Sequence, residues 1–144
     1  MFSSAPAMTF GRQPHFAQAY RSIAAETGVT GADPHRLVSM LYDGFLAALA
    51  EARGAMRQRE LERKGRALTR AVRIVEEGLR AGLNLQAGGA LARDLNQLYG
   101  YISTRLTQAN LRNDETLIDE CQRLVQPLSE AWTAIAPATG RPDA

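Results

Sequence analysis

Residues 33–56 read DPHRLVSMLYDGFLAALAEARGAM, and their spacing decides the fold class. Asp33 is a side chain that can cap a free backbone N–H. Pro34 suits the first helical position, where its missing N–H costs nothing. Leu37, Leu41, Phe45, Ala48, Ala52 and Met56 then recur every three or four residues and share one helical face. Val38, Tyr42, Leu46 and Leu49 form a second apolar row beside it. A stripe that wide must be covered on at least two sides. The rest of the chain supplies helices to cover it.

With 144 residues the chain is long enough for one domain with its own core. Ala and Leu dominate and aromatics are few, which favours helix over sheet. The net charge of +2 is small and evenly scattered, which argues against nucleic acid as a partner. A single cysteine cannot form an internal disulfide and fits a reducing compartment. No window is apolar enough to span a membrane, so no stable membrane insertion is expected. The N-terminus lacks the pattern of a secretory signal, and the expected location is cytoplasmic.

Residues 1–15 mix Ser, Pro and Gly without a period and are expected to be disordered. Residues 16–32 are read as a helical arm and loop. Phe16, Ala19, Tyr20, Ile23 and Ala24 fall at helical spacing, on a piece too short to be stable alone. Two readings stay open: a permanent fifth helix, or a movable arm tethered by Gly28-Val29-Thr30-Gly31-Ala32. The bundle proper is expected over 33–136, with a tail over 137–144. A turn is placed near 56–60. The second helix carries Leu61, Gly65, Leu68, Val72, Val75, Leu79 and Gly82 on its seam. Beside them runs a small row of Ala67, Ala71, Ile74, Gly78 and Ala81, read either as close helix packing or as a groove for a partner helix. Gly88-Gly89 marks a chain reversal.

The third seam is Leu91, Leu95, Leu98, Ile102, Arg105 or Leu106, and Ala109, flanked by Tyr99 and Tyr101. Asn113 is expected to cap a fourth helix, with Asp114 and Glu115 in its first turn. That helix carries Leu117, Cys121, Leu124, Leu128, Ala131 and Ile135, with Ile118, Val125 and Trp132 extending the stripe. Pro127 is expected to kink or break it, because proline removes one hydrogen bond and crowds the carbonyl of Arg123. Four amphipathic helices with short connections make an all-α, antiparallel up-down bundle.

Chemistry is sparse. Only His15 and His35 could supply imidazole, and neither sits in a Glu-x-x-His pair of the kind that builds a di-iron bundle. Cys121 lies on an apolar seam without a histidine base placed to serve it. Gly88-Gly89 lacks the pattern of a phosphate loop. Arg57, Arg59, Arg63, Lys64 and Arg66 are interrupted by Glu60 and Glu62, which suits a solvated helix face better than an anion site. No cofactor, no metal and no enzymatic activity are expected.

Several runs, in order, resemble the FliS family of flagellar export chaperones. They are Ala19-Tyr20, Asp33-Pro34-His35-Arg36-Leu37-Val38, Met40-Leu41-Tyr42-Asp43-Gly44, Gly88-Gly89 with Asn96-Gln97-Leu98-Tyr99-Gly100-Tyr101-Ile102, Arg105-Leu106-Thr107-Gln108-Ala109-Asn110-Leu111-Arg112-Asn113-Asp114, and Glu130-Ala131-Trp132. Together they cover roughly residues 19–135. The resemblance implies a small non-enzymatic helical bundle that binds the disordered C-terminal segment of flagellin. It would block premature polymerisation and hand flagellin to the type III export gate, with other flagellar regulators as further partners. The expected partner-binding residues are Tyr20, Ile23, Leu41, Tyr42, Ala71, Ile74, Gly78, Tyr99, Ile102 and Asn110. A self-associating structural or adaptor bundle is the alternative, and the expected state is a monomer or weak homodimer. The arm from Phe16 to Ala24 is expected to cover part of the groove and to yield to flagellin.

Overall fold

Asp33 caps as its sequence position suggests: its carboxylate accepts the Arg36 N–H at 2.7 Å, and Pro34 opens the helix. The structure, a computed structural model, describes residues 33–135. The segments read as disordered start, arm and tail (1–15, 16–32 and 137–144), with Tyr20 and Ile23, lie outside the described residues. Helix α1 runs Pro34–Arg57, α2 Leu61–Arg73, α3 Gly89–Arg112 and α4 Glu115–Ala134. Alpha-helix α2 passes directly into a π-helical segment, Ile74–Arg80. The three connections agree with an up-down bundle, and no strand occurs among the described residues.

Consecutive helices are neighbours, and α4 returns to pack on α1. The core joins Leu41, Phe45 and Leu49 of α1 to Leu68, Ala71, Ile74 and Val75, to Ile102 and Leu106 of α3, and to Ile118, Cys121 and Val125 of α4. Each seam carries a polar clasp on its outer side. Arg53 reaches Asp119 and Gln122, and Arg57 pairs with Glu115, between α1 and α4. Arg63 bonds Glu51 of α1 as well as its own neighbour Glu60. Arg80 donates to Asn96, and Ser103 donates to Glu76, between the π segment and α3.

Several sequence expectations change here. Asn113 does not cap α4. It ends α3 in the left-handed region, at φ 54°, while Asp114 accepts the Thr116 N–H and begins α4. Asparagine tolerates that conformation because its short amide bonds locally. Lys64, almost wholly buried, donates to the Asn110 carbonyl at 3.1 Å and to Asn113 Oδ1 at 2.9 Å. A cation at a helix C-terminus answers the carbonyls left unpaired there. Of the basic cluster, Lys64 thus faces inward. Arg57, Arg63 and Arg66 meet carboxylates of this chain, as a solvated face would.

Pro127 does not break α4, which continues from Glu115 to Ala134. Pro127 and Arg123 are both exposed, so the carbonyl that loses its partner is on the wet side of the helix. The small row packs closely instead of leaving a groove at Gly78. A Cβ there would lie 2.9 Å from a δ-methyl of Leu41. Gly65, by contrast, faces open space, and Ala131 is exposed.

An apolar groove between the third and fourth helices

The facing of α3 and α4 is fixed by two contacts. Cys121 Sγ lies 3.9 Å from the Ile102 carbonyl, and Glu120 accepts from Tyr101 and Arg105. The helices run antiparallel. Stepping back along α3 and forward along α4 therefore brings Leu98, Leu95 and Leu91 near the level of Leu124, Leu128 and Trp132. Leu95, Leu98, Leu124, Leu128 and Trp132 are only partly buried against the core. Leu91 is 69% and Ile135 64% exposed. Of the partly buried residues that flank the core, most lie in this half of the bundle. The result is a partly exposed apolar strip along both helices, about 15 Å long at 1.5 Å per residue from Leu91 to Tyr101, which we read as a groove.

Its lower end is where α1 begins and α4 ends. There His35 stacks on Trp132, with ring centroids 4.7 Å apart and planes 9° from parallel. Trp132 Nε1–H donates to the His35 carbonyl at 2.9 Å, and His35 Nε2 lies 2.7 Å from the Trp132 carbonyl. The 32 residues before Asp33 join the bundle at this same end. The upper end is polar. The Glu120 carboxylate bridges Tyr101 and Arg105, and the Arg105 guanidinium sits 5.5 Å from the centre of the Tyr101 ring.

The expected partner-binding residues fall in three places. Leu41, Tyr42, Ala71, Ile74, Gly78, Tyr99 and Ile102 come together, but as the interior of the bundle. Their side chains are withdrawn from solvent, so a partner could touch them only if the core opened. Asn110 sits apart at the other end, half-buried, with its carbonyl held by Lys64. Tyr20 and Ile23 are outside the described residues. The helical period places the groove-lining leucines on the core seam. They share the core face of their helices, and their partial exposure is a property of the assembled bundle, which periodicity does not register.

Burial pushes the Cys121 thiol up to about 12, which leaves it unreactive at neutral pH. Among the described residues no group of three or more His, Cys, Asp or Glu is placed to hold a metal ion, and no helix is long and apolar enough to cross a membrane. Four carboxylates are held below their ordinary values by direct bonds. These are Glu51 by Arg63, Asp114 by Thr116, Glu115 by Arg57, and Glu120 by Tyr101 and Arg105. A depressed carboxylate stabilises the fold above its unfolded pKa and gives that up as pH falls through its folded value. Melting temperature should therefore hold from neutral pH down to about 5, then fall as pH drops below about 4, near the free carboxylate values. A melt series in which Glu120→Gln shows the same acid slope as wild type would contradict this assignment for Glu120.

The family model described as "Flagellar protein FliS" matches residues 16–139. The chain belongs to the FliS family. It is 43% identical over 120 residues to the flagellar secretion chaperone FliS of Salmonella typhimurium, covering 83% of this chain and 89% of that one. It is 39% identical over 117 residues to the flagellar secretion chaperone FliSB of Pseudomonas aeruginosa, covering 81% and 92%. The FliS of Bacillus subtilis is 31% identical over 107 residues, covering 74% and 78%. FliS membership thus spans the described bundle and part of the segment before it.

Proposed function

We propose that this chain is a cytoplasmic export chaperone for flagellin. It binds the disordered C-terminal segment, prevents premature polymerisation and delivers flagellin to the flagellar type III export apparatus. The observation that carries this reading is the partly exposed apolar strip along α3 and α4 in a chain of the FliS family. An unfolded segment with helical apolar spacing must hide its stripe. A groove rimmed by leucine on both sides accepts it as a helix. Folding on binding of this kind buries about 1,000–3,000 Å² and spends roughly 2–5 kcal/mol on ordering the partner.

The interior residues Leu41, Tyr42, Ala71, Ile74, Gly78, Tyr99 and Ile102 then serve the partner from beneath, or directly if binding loosens this half of the bundle. The arm carrying Tyr20 and Ile23 acts as a tethered competitor for the groove, at a high effective concentration set by its linker. The export gate and other flagellar regulators are further partners in the same reading. The test is a titration with the last ~40 residues of the cognate flagellin, enough for more than one helical stretch at ~1.5 Å per residue. Gained helicity and a one-to-one complex are expected. Absence of binding at micromolar concentration, with self-association instead, would replace the chaperone by a structural bundle.

A further inference from the structure

We propose that the Tyr101–Glu120–Arg105 bridge is a stop that sets the register and direction of the helix held in the α3/α4 groove. The inference rests on the chaperone reading above and adds residues that determine how the partner sits. Below the bridge the strip carries Leu91 and Leu98 on α3 and Leu124 and Leu128 on α4, with Asp94 as a charged residue on the α3 rim. An apolar trough alone fixes register weakly, because a leucine stripe shifted by one turn meets similar surface. A polar barrier at one end removes that ambiguity.

The bridge has the features of such a barrier. It ties rim to rim, since Tyr101 and Arg105 lie on α3 and Glu120 on α4. Arg105 Nε donates to one carboxylate oxygen at 2.8 Å, and the Tyr101 hydroxyl donates to the other. Arg105 and Glu120 are each only partly exposed, at 29% and 28% of their side-chain surface. An apolar side chain pushed against them would desolvate a charged pair without returning a hydrogen bond. Both oxygens of Glu120 are engaged, so it has little left to offer a partner. Arg105 uses Nε on Glu120 and Nη1 on Gln108, two of the five N–H donors of a guanidinium. Its remaining donors suit carbonyl or carboxylate acceptors. The last carbonyls of an α-helix are unpaired and carry the negative end of its dipole. The bound helix therefore points its C-terminal end at Arg105 and runs parallel to α3.

The test uses the full chain with Asp94→Cys, an exposed position on the α3 rim one turn from Leu91 and Leu98. The probe is a set of flagellin C-terminal segments, each with one cysteine at a successive position. Cross-linking to the unmodified bridge should concentrate at one position and its neighbours a helical turn away. Arg105→Gln with Tyr101→Phe should spread cross-linking over about two turns and weaken binding about fivefold, the scale of one exposed charge contact. Glu120→Gln, which keeps the shape, should spread it less. A single unchanged register in all variants, or a register running antiparallel to α3, would overturn the proposal while leaving the chaperone reading intact. Failure of the parent protein to bind any segment would overturn both, and is seen before a bridge variant is made.

Discussion

Leu41→Ala is expected to lower the free energy of unfolding by about 2–5 kcal/mol, the range for a buried leucine that leaves a cavity. Leu41 is fully buried, and its δ-methyls lie against Gly78 of the π segment. The cavity has little means of closing, because the residue across from it has no side chain to move inward. Gly78→Ala fails for the converse reason. Its new Cβ would sit 2.9 and 3.1 Å from the two Leu41 methyls. Overpacking of that kind costs about 1–3 kcal/mol. The two changes together should cost less than their sum, since the methyl at 78 enters the space left at 41. Thermal or denaturant melts of the four proteins check this. Strict additivity would mean that the two positions do not meet. Leu98→Ala, at a half-buried position on the groove rim, should cost less than Leu41→Ala.

Tyr99→Phe is expected to destabilise by about 1–3 kcal/mol while removing a single oxygen, because it strands a buried partner. The Tyr42 and Tyr99 hydroxyls lie 2.8 Å apart, and both side chains are buried. Burial pushes both phenols above their ordinary value, so the pair stays protonated and shares one hydrogen bond at neutral pH. The bond joins α1 to α3, which are diagonal in the bundle and whose backbones do not approach closely. Tyr42→Phe combined with Tyr99→Phe should be milder than either single change, because no unpaired hydroxyl remains. A double variant less stable than both singles would show that the hydroxyls have other partners.

Much of the fold was legible in the sequence for local reasons. Asp33-Pro34, the turn near residue 58 and the Gly88-Gly89 reversal each depend on a few adjacent residues. The apolar rows depend only on a constant helical period. What escaped depends on neighbours distant in sequence. Asn113 and Asp114 can both cap, and the choice between them follows from Lys64, which uses Asn113 Oδ1. Pro127 is tolerated because of which side of α4 faces water. The π segment from Ile74 coincides with the place where Gly78 lets Leu41 in, a long-range contact. The site was harder still. Leu91, Leu124 and Leu128 carry the same periodic signal as Ile102 and Val125. Exposure separates them, and exposure is a property of the assembled bundle. The polar end of the groove, Tyr101 with Glu120, joins two helices and has no single-stretch signature.

The stacking of Trp132 on His35 has a practical consequence. Trp132 is the protein's one tryptophan, and it lies partly exposed at the mouth of the groove. Its indole is therefore an intrinsic optical reporter, with no other emitter of its kind to dilute the signal. A helix seated over the leucines would shield the ring from soluble quenchers. Opening of the corner where α1 begins and α4 ends would separate indole from imidazole and expose the ring. Occupancy and fraying would thus move its emission in opposite directions, so the unlabelled protein can distinguish a filled groove from a loosened end.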